Sequence, residues 1–223
     1  MTELWLVTSE SEEGPFSTSA PLPNRLPPGR HGIPANLVVE HQRRRLLAAM
    51  AEALAEHGYG SVTTAQVSKM ANVSTSTFYK HFGNLWDCLL AAYVTAADRL
   101  CEEIEAACAE RDPRPAALTV GIDAALDFFA AEPSQAQLLS AQAPLEASAI
   151  SAARRLLTSR LASMLRRSRG PHDTALQPPG LDERLIDATL AFVGSRISRG
   201  QVEGLAGLGP ELAAILDRPR QAA

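Results

Sequence analysis

Residues 63–82 read TTAQVSKMANVSTSTFYKHF, and this stretch decides the fold. Thr63 and Ser74 each stand just ahead of a short run with helical spacing, where a hydroxyl can accept from an otherwise unpaired backbone N–H. The first run extends through Ala71 with Val67 and Met70 inward. The second ends near Phe82, with Phe78 and Phe82 four apart on its inner face. Between them, Asn72 tolerates the left-handed backbone that a tight turn needs. Two helices of about nine residues, joined by a turn of about three, give a helix-turn-helix layout.

Working outward, residues 35–57 contain neither Gly nor Pro, and Leu46, Met50, Ala53 and Leu54 fall on one helical face. Pro34 suits the first turn of that helix, and Gly58-Tyr59-Gly60 stops it. Upstream, residues 9–34 are rich in Ser, Thr, Pro and Gly, so residues 1–34 are expected to be a disordered tail. Downstream, helices are expected over 85–111, 114–131, 134–143 and 145–169, with breaks at Asp112-Pro113, Glu132-Pro133 and Pro144. A proline-containing loop follows from Gly170 to Gly180. Asp182 is the expected cap of a helix to about Gly200, and a short last helix runs from near Pro210 to before Pro219. Strand alternation appears nowhere at length, so the expected fold is all-α. The expected division is a tail at 1–34, a helix-turn-helix domain at 35–83 and a helical domain at 84–223.

The 223 residues carry a formal net charge of -4, which hides an uneven distribution. Residues 24–86 hold seven Lys and Arg against three Glu, a basic segment that attracts phosphate backbones. The hydrophobic share of 46% is ordinary for a globular protein. No stretch approaches the roughly 20 apolar residues of a membrane span, and Met1–Thr8 lack the basic start of a signal peptide. Cys88, Cys101 and Cys108 have no metal-ligand spacing with a histidine. The expectation is a cytoplasmic protein with no metal and no cofactor. Phosphate-loop, H-E-x-x-H and G-x-S-x-G patterns are missing from the sequence. Gly204, Gly207 and Gly209 follow a helix rather than a strand, and His57, His81 and His172 fall in different elements. The rival readings are a helical enzyme and a protein–protein adaptor with a non-functional DNA-binding domain.

The run from Arg43 to Tyr93 resembles the DNA-binding domain of TetR-type transcriptional regulators. The resemblance rests on Gly58-Tyr59, Thr63 to Val67, Ala71-Asn72-Val73-Ser74 and, most specifically, Thr77-Phe78-Tyr79-Lys80-His81-Phe82. Leu26 to Gly32 also resembles a leader found in some members. The chemistry agrees: Thr63, Thr64, Ser74, Thr75, Ser76 and Thr77 surround two helix N-termini, and Tyr79, Lys80 and His81 add donors. These nine residues are the candidate DNA-binding set. Four positions depart from the family pattern. Leu85 stands where many members have a phosphate-contacting lysine, and Asn72 replaces the usual turn glycine. Ser68 replaces a small apolar residue, and Ala65 offers no long side chain to a base. The second helix has no arginine, so base reading falls to Thr75, Ser76, Tyr79 and Lys80, with Arg25 and Arg30 of the tail as candidate minor-groove arms.

The resemblance implies a sequence-specific regulator, a repressor that leaves a palindromic double-stranded DNA operator when a small effector binds. It implies a homodimer formed through helices 145–169 and 182–200, where Gly194 and Ser195 permit close approach either to the partner or within the chain's own core, and nucleoid association when bound. It also implies an effector pocket in the C-terminal domain. Candidate lining residues are Phe128, Phe129, Leu138, Leu139, Met164 and Phe192, with Asp123, Gln135 and Gln142 as candidate polar contacts. The apolar inner faces suit an apolar or amphipathic effector. The helix starting near Asn84 is the expected coupling element, with Leu85 and Trp86 packing on the reader as its pivot.

Overall fold

The computed structural model describes residues 34–109, 117–140, 148–169 and 178–217. The expectations placed on the tail, on Arg25 and Arg30, on the breaks at Asp112-Pro113 and Pro144, on Gln142 and His172, and on most of the 170–180 loop lie outside these residues.

Every regular element among the described residues is helical: α1 (Ala35–His57), α2 (Thr64–Met70), α3 (Thr75–His81), α4 (Leu85–Ala109), α5 (Ala117–Ala131), α6 (Pro133–Ser140), α7 (Ser148–Arg169), α8 (Leu181–Ser198) and α9 (Gly209–Asp217), with a 3₁₀ turn at Ala206–Leu208. The chain forms two compact units that divide at Arg44/Arg45. In the first, the Leu37 and Val38 N–H groups donate to the Pro34 carbonyl at 3.0 and 3.3 Å, so the proline opens α1. Glu40 pairs with Arg44 one turn on, at 4.0 Å and exposed.

In the second unit, Leu46, Met50, Ala53 and Leu54 are buried, which is the apolar face read from the sequence. Gly58 ends α1 with φ at 71°, a conformation that costs glycine least, while its N–H donates to the Leu54 carbonyl at 2.8 Å. Asn84 opens α4 with a reciprocal cap: its Oδ1 accepts from the Asp87 N–H at 3.0 Å and its Nδ2 donates to the Asp87 carboxylate at 3.0 Å. Along α4, Cys88, Leu89, Ala92, Tyr93, Ala96, Leu100, Cys101 and Ile104 form one buried face, with small residues in the middle that let neighbouring helices approach.

Of the following helices, α5, α6 and α7 pack on α4, α8 packs on α6 and α7, and α9 packs on α5. Pro133 sits at the first position of α6, where its missing N–H is harmless. Ion pairs tie α7 to its neighbours: Arg160 to Asp98 on α4 at 2.6 Å, Arg154 to Asp187 on α8 at 3.3 Å and Arg166 to Glu183 on α8 at 3.0 Å. One reading of α8 needs correction, its cap. Gly180, with φ at 72°, is the residue that caps it; Asp182 is buried inside the first turn and faces Arg166 at 3.6 Å. Gly194 is pressed against Ser140 of α6, where a Cβ would collide with the serine side chain, so its small size serves packing within the chain.

Candidate nucleic-acid interface and effector cavity

The two short helices owe their starts to their own side chains. The Thr63 Oγ1 accepts from the Gln66 N–H at 3.3 Å, and the Gln66 Oε1 accepts from both the Thr63 N–H and the Thr63 hydroxyl at 2.8 Å. This closed capping box satisfies two orphan donors at once. Ser74 does the same work for α3, accepting from the Thr77 N–H at 3.0 Å, while its hydroxyl meets that of Thr77 at 2.8 Å. Asn72 turns the chain with φ at 50°, and the Val73 N–H donates to the Ser68 carbonyl at 2.9 Å. Arg45 reaches across from α1 to donate to the Asn72 carbonyl at 3.2 Å, clamping the turn.

Phe78 is fully buried and Phe82 nearly so, their rings 5.6 Å apart, and they hold α3 by one face. The opposite edge carries Thr75, Ser76, Tyr79 and Lys80, all exposed, with Tyr79 at 56%. Tyr79 stands edge-on to Phe78 at 5.5 Å, which fixes its direction without hiding it. Thr64 and His81 are half-buried at the ends of the pair. The candidate set therefore divides. Thr63, Ser74 and Thr77 spend their hydroxyls on caps, whereas Thr75, Ser76, Tyr79 and Lys80 form one free polar edge. Two contributors escaped the sequence reading. Gln66 had a signal, the T-x-x-Q spacing of a capping box. Arg45 had none, because its partner is 27 residues away.

The C-terminal helices line an apolar cavity of about 120 Å³ among α4, α5, α7, α8 and α9, partly open to solvent. Of the six candidate lining residues, Phe129 and Met164 are on its wall. Phe128, Leu138 and Leu139 are buried core away from it, with Phe128 edge-on to Phe129 at 5.8 Å. Phe192 departs from the expected cluster: it is 46% exposed on α8, under the Arg196 guanidinium at 5.9 Å. Asp123 is exposed, and Gln135 bonds Arg99 and Glu132 at 3.2 and 3.0 Å, so neither reaches the cavity. Of the expected pivot pair, Leu85 packs against the core, while Trp86 is 47% exposed.

Titratable groups nearby are held neutral by burial. Cys101, next to the cavity residue Leu100, has its thiol pushed up to about 11, and Tyr93 is raised for the same reason. Burial, with help from the charge of Glu105, also raises Cys108 on the cavity wall. Among the described residues, no helix is long and apolar enough to cross a membrane.

Comparison with known proteins adds the following. Residues 46–92 match the family described as bacterial regulatory proteins, tetR family. No curated protein matches the sequence. Among solved structures, the fatty acid degradation regulator FadR from Bacillus halodurans aligns at TM-score 0.62 and 18% identity, over 82% of this chain and 97% of that one. FadR from Bacillus subtilis in complex with stearoyl-CoA aligns at 0.63 and 22%, over 80% and 99%. PfmR from Thermus thermophilus aligns at 0.56 and 18%, over 81% and 98%. At such identities the likeness establishes a shared fold.

Proposed function

Taking residues 46–92 as a tetR-family DNA-reading domain, we propose that the chain is a sequence-specific DNA-binding transcriptional regulator, a repressor released by a small-molecule effector. Its parts are a tail at 1–34, a reader at 35–83 and an effector-binding and dimerisation domain at 84–223. The observation that carries this reading is the free edge of α3, four polar side chains on a helix held from behind by Phe78 and Phe82. Such an edge fits the major groove, where donors and acceptors distinguish base pairs. Tyr79, Lys80, Thr75 and Ser76 read bases, Thr64 and His81 flank them, and Thr63, Ser74 and Thr77 set the frame.

A single reader of this size binds weakly, and a symmetric pair on a palindromic operator remedies that. Leu156 on α7, 69% exposed, and Phe192 on α8 are the apolar side chains that support dimerisation through those helices. The cavity supports an apolar or amphipathic effector, as does the stearoyl-CoA bound by one relative in fold. Coupling runs along α4, which carries Leu100, Ile104 and Cys108 on the cavity wall and Leu85 at its other end. A tilt of α4 changes the separation of two recognition helices, which must stay at about 34–36 Å to enter successive grooves. An effector acts only through unequal affinity for the two arrangements. The test is a gel shift of the full chain with the DNA upstream of its own gene. Retarded DNA that a 100-fold excess of unrelated duplex does not displace supports the reading. Retardation lost equally to unrelated duplex and to unlabelled upstream duplex refutes it.

A further inference from the structure

We infer that the cavity of the C-terminal helices takes an uncharged hydrocarbon group of about six carbons, a single ring or a short alkyl segment, and accommodates no anionic or acceptor head group. The inference rests on the reading of this cavity as the effector site and narrows its ligand from apolar or amphipathic to strictly apolar at the buried end.

Three features of the wall carry it. The first is the state of its polar atoms. Ser168 donates to the Leu165 carbonyl at 2.8 Å, Thr189 to the Leu185 carbonyl at 2.8 Å and the Cys108 thiol to the Ala117 carbonyl at 3.5 Å. Every side-chain donor on the wall is thus committed to a backbone acceptor, and the wall holds no charged side chain among the described residues. A carboxylate, phosphate or ketone placed there would lose its water and gain no donor. The second feature is shape. Ala117, Gly121 and Ala125 recur every four residues along α5 and lead to Phe129, so one strip of the wall carries small side chains ahead of an aromatic ring, beside the larger Leu118, Ile122 and Leu126. A Cβ at Gly121 would make ordinary contacts, 3.4 Å from the Cys108 sulfur and 3.5 Å from Ile104, so the glycine leaves about a methyl group's worth of extra room on the wall. The third is size. At about 120 Å³ the space for a ligand is slightly smaller than the roughly 150 Å³ closed apolar cavity known to accept benzene, and it is partly open, so a chain held there by its end can extend outward. Met164 on the facing helix supplies the side chain best able to adjust to a ring or a chain.

A free hydrocarbon and the end of an acyl chain offer the same chemistry to this wall, and the test separates them. Thermal unfolding of the full chain is followed with benzene, with hexanoate and with octanoyl-CoA. Benzene at about ten times its Kd raises Tm by about 3–5 °C, and hexanoate raises it less. Ala125→Leu, which fills the cavity from its strip of small side chains, abolishes the benzene shift. Magnetisation transfer from bound benzene to the Met164 methyl group places the ring independently of any variant's folding. An octanoyl-CoA shift that Ala125→Leu also removes identifies an acyl chain as a source. A benzene shift without one identifies a free hydrocarbon, and both support the inference. A larger shift with hexanoate than with benzene, survival of the benzene shift in Ala125→Leu, or no benzene shift with no transfer to Met164 overturns it. If benzene binds in this way yet leaves the gel shift unchanged, the cavity chemistry stands and its assignment as the effector site falls.

Discussion

Between Thr63 and Phe82, most polar contacts close within three or four residues: Thr63 with Gln66, Ser74 with Thr77; the ring pair Phe78 and Phe82 keeps the same spacing. Around the cavity the reverse holds, since its wall brings together residues as far apart as Leu100 and Leu216. The reader is thus specified by local chemistry that leaves one edge exposed for a partner. The sensor is specified by long-range packing that leaves a space inside. Damage to each should differ in kind. Changes on the free edge of α3 should cost binding and spare folding, whereas changes in either apolar core should cost folding first.

The largest effect expected is that of Phe78→Ala. It deletes a fully buried ring and should lower stability by about 3–5 kcal/mol, with DNA binding lost as a consequence. Urea unfolding measures it, and a loss below about 1 kcal/mol would mean that α3 faces the other way. Next comes the thiol of Cys101. Its ordinary value of 9.0 is pushed up to about 11, so its thiolate is about a hundredfold scarcer near pH 8 than in an unperturbed thiol. Since the neutral form is favoured and the side chain is fully buried, labelling of Cys101 in the folded chain should be slow at pH 8, slower than that of the half-buried Cys108. Fast labelling at pH 8 would show that the core around α4 opens readily.

Tyr79→Ala and Lys80→Ala come third. Each should weaken operator binding by about 1–3 kcal/mol. Lys80→Ala should leave stability within about 0.5 kcal/mol, and Tyr79→Ala should lose only its edge contact with Phe78, about 1 kcal/mol. The smallest pair lies within the frame of the reader. Thr63→Ala opens the capping box and should cost about 1 kcal/mol. Ser68→Ala removes a buried hydroxyl that has no hydrogen-bond partner among the described residues, and should gain about 0.5–1 kcal/mol. Opposite signs from two neighbouring hydroxyls would separate capping from mere polarity.

The same contrast governs what the sequence disclosed. The caps at Thr63 and Ser74, the left-handed Asn72 and the inward Phe78 and Phe82 were legible because each depends on neighbours within one helical turn. The bounds of α1 followed from a run without Gly or Pro that ends at Gly58. The Arg45 clamp on Asn72, the contact of Gly194 with Ser140 and the outward face of Phe192 were not legible, since each depends on which helix lies opposite. Periodicity marks an apolar face but not its partner, so Phe128 and Phe129 could be placed inside without telling which of them borders the cavity.

The most direct test of the central claim, that the exposed edge of α3 meets duplex DNA as part of a symmetric pair, is the salt dependence of binding. Fluorescence anisotropy with the upstream duplex is measured between low and moderate salt for the parent chain and for Lys80→Ala. If each protomer neutralises about four phosphates, log affinity should fall against log salt with a slope of about -7. Lys80→Ala should weaken binding throughout the range. A slope near zero, or affinity unmoved by Lys80→Ala, would contradict the claim.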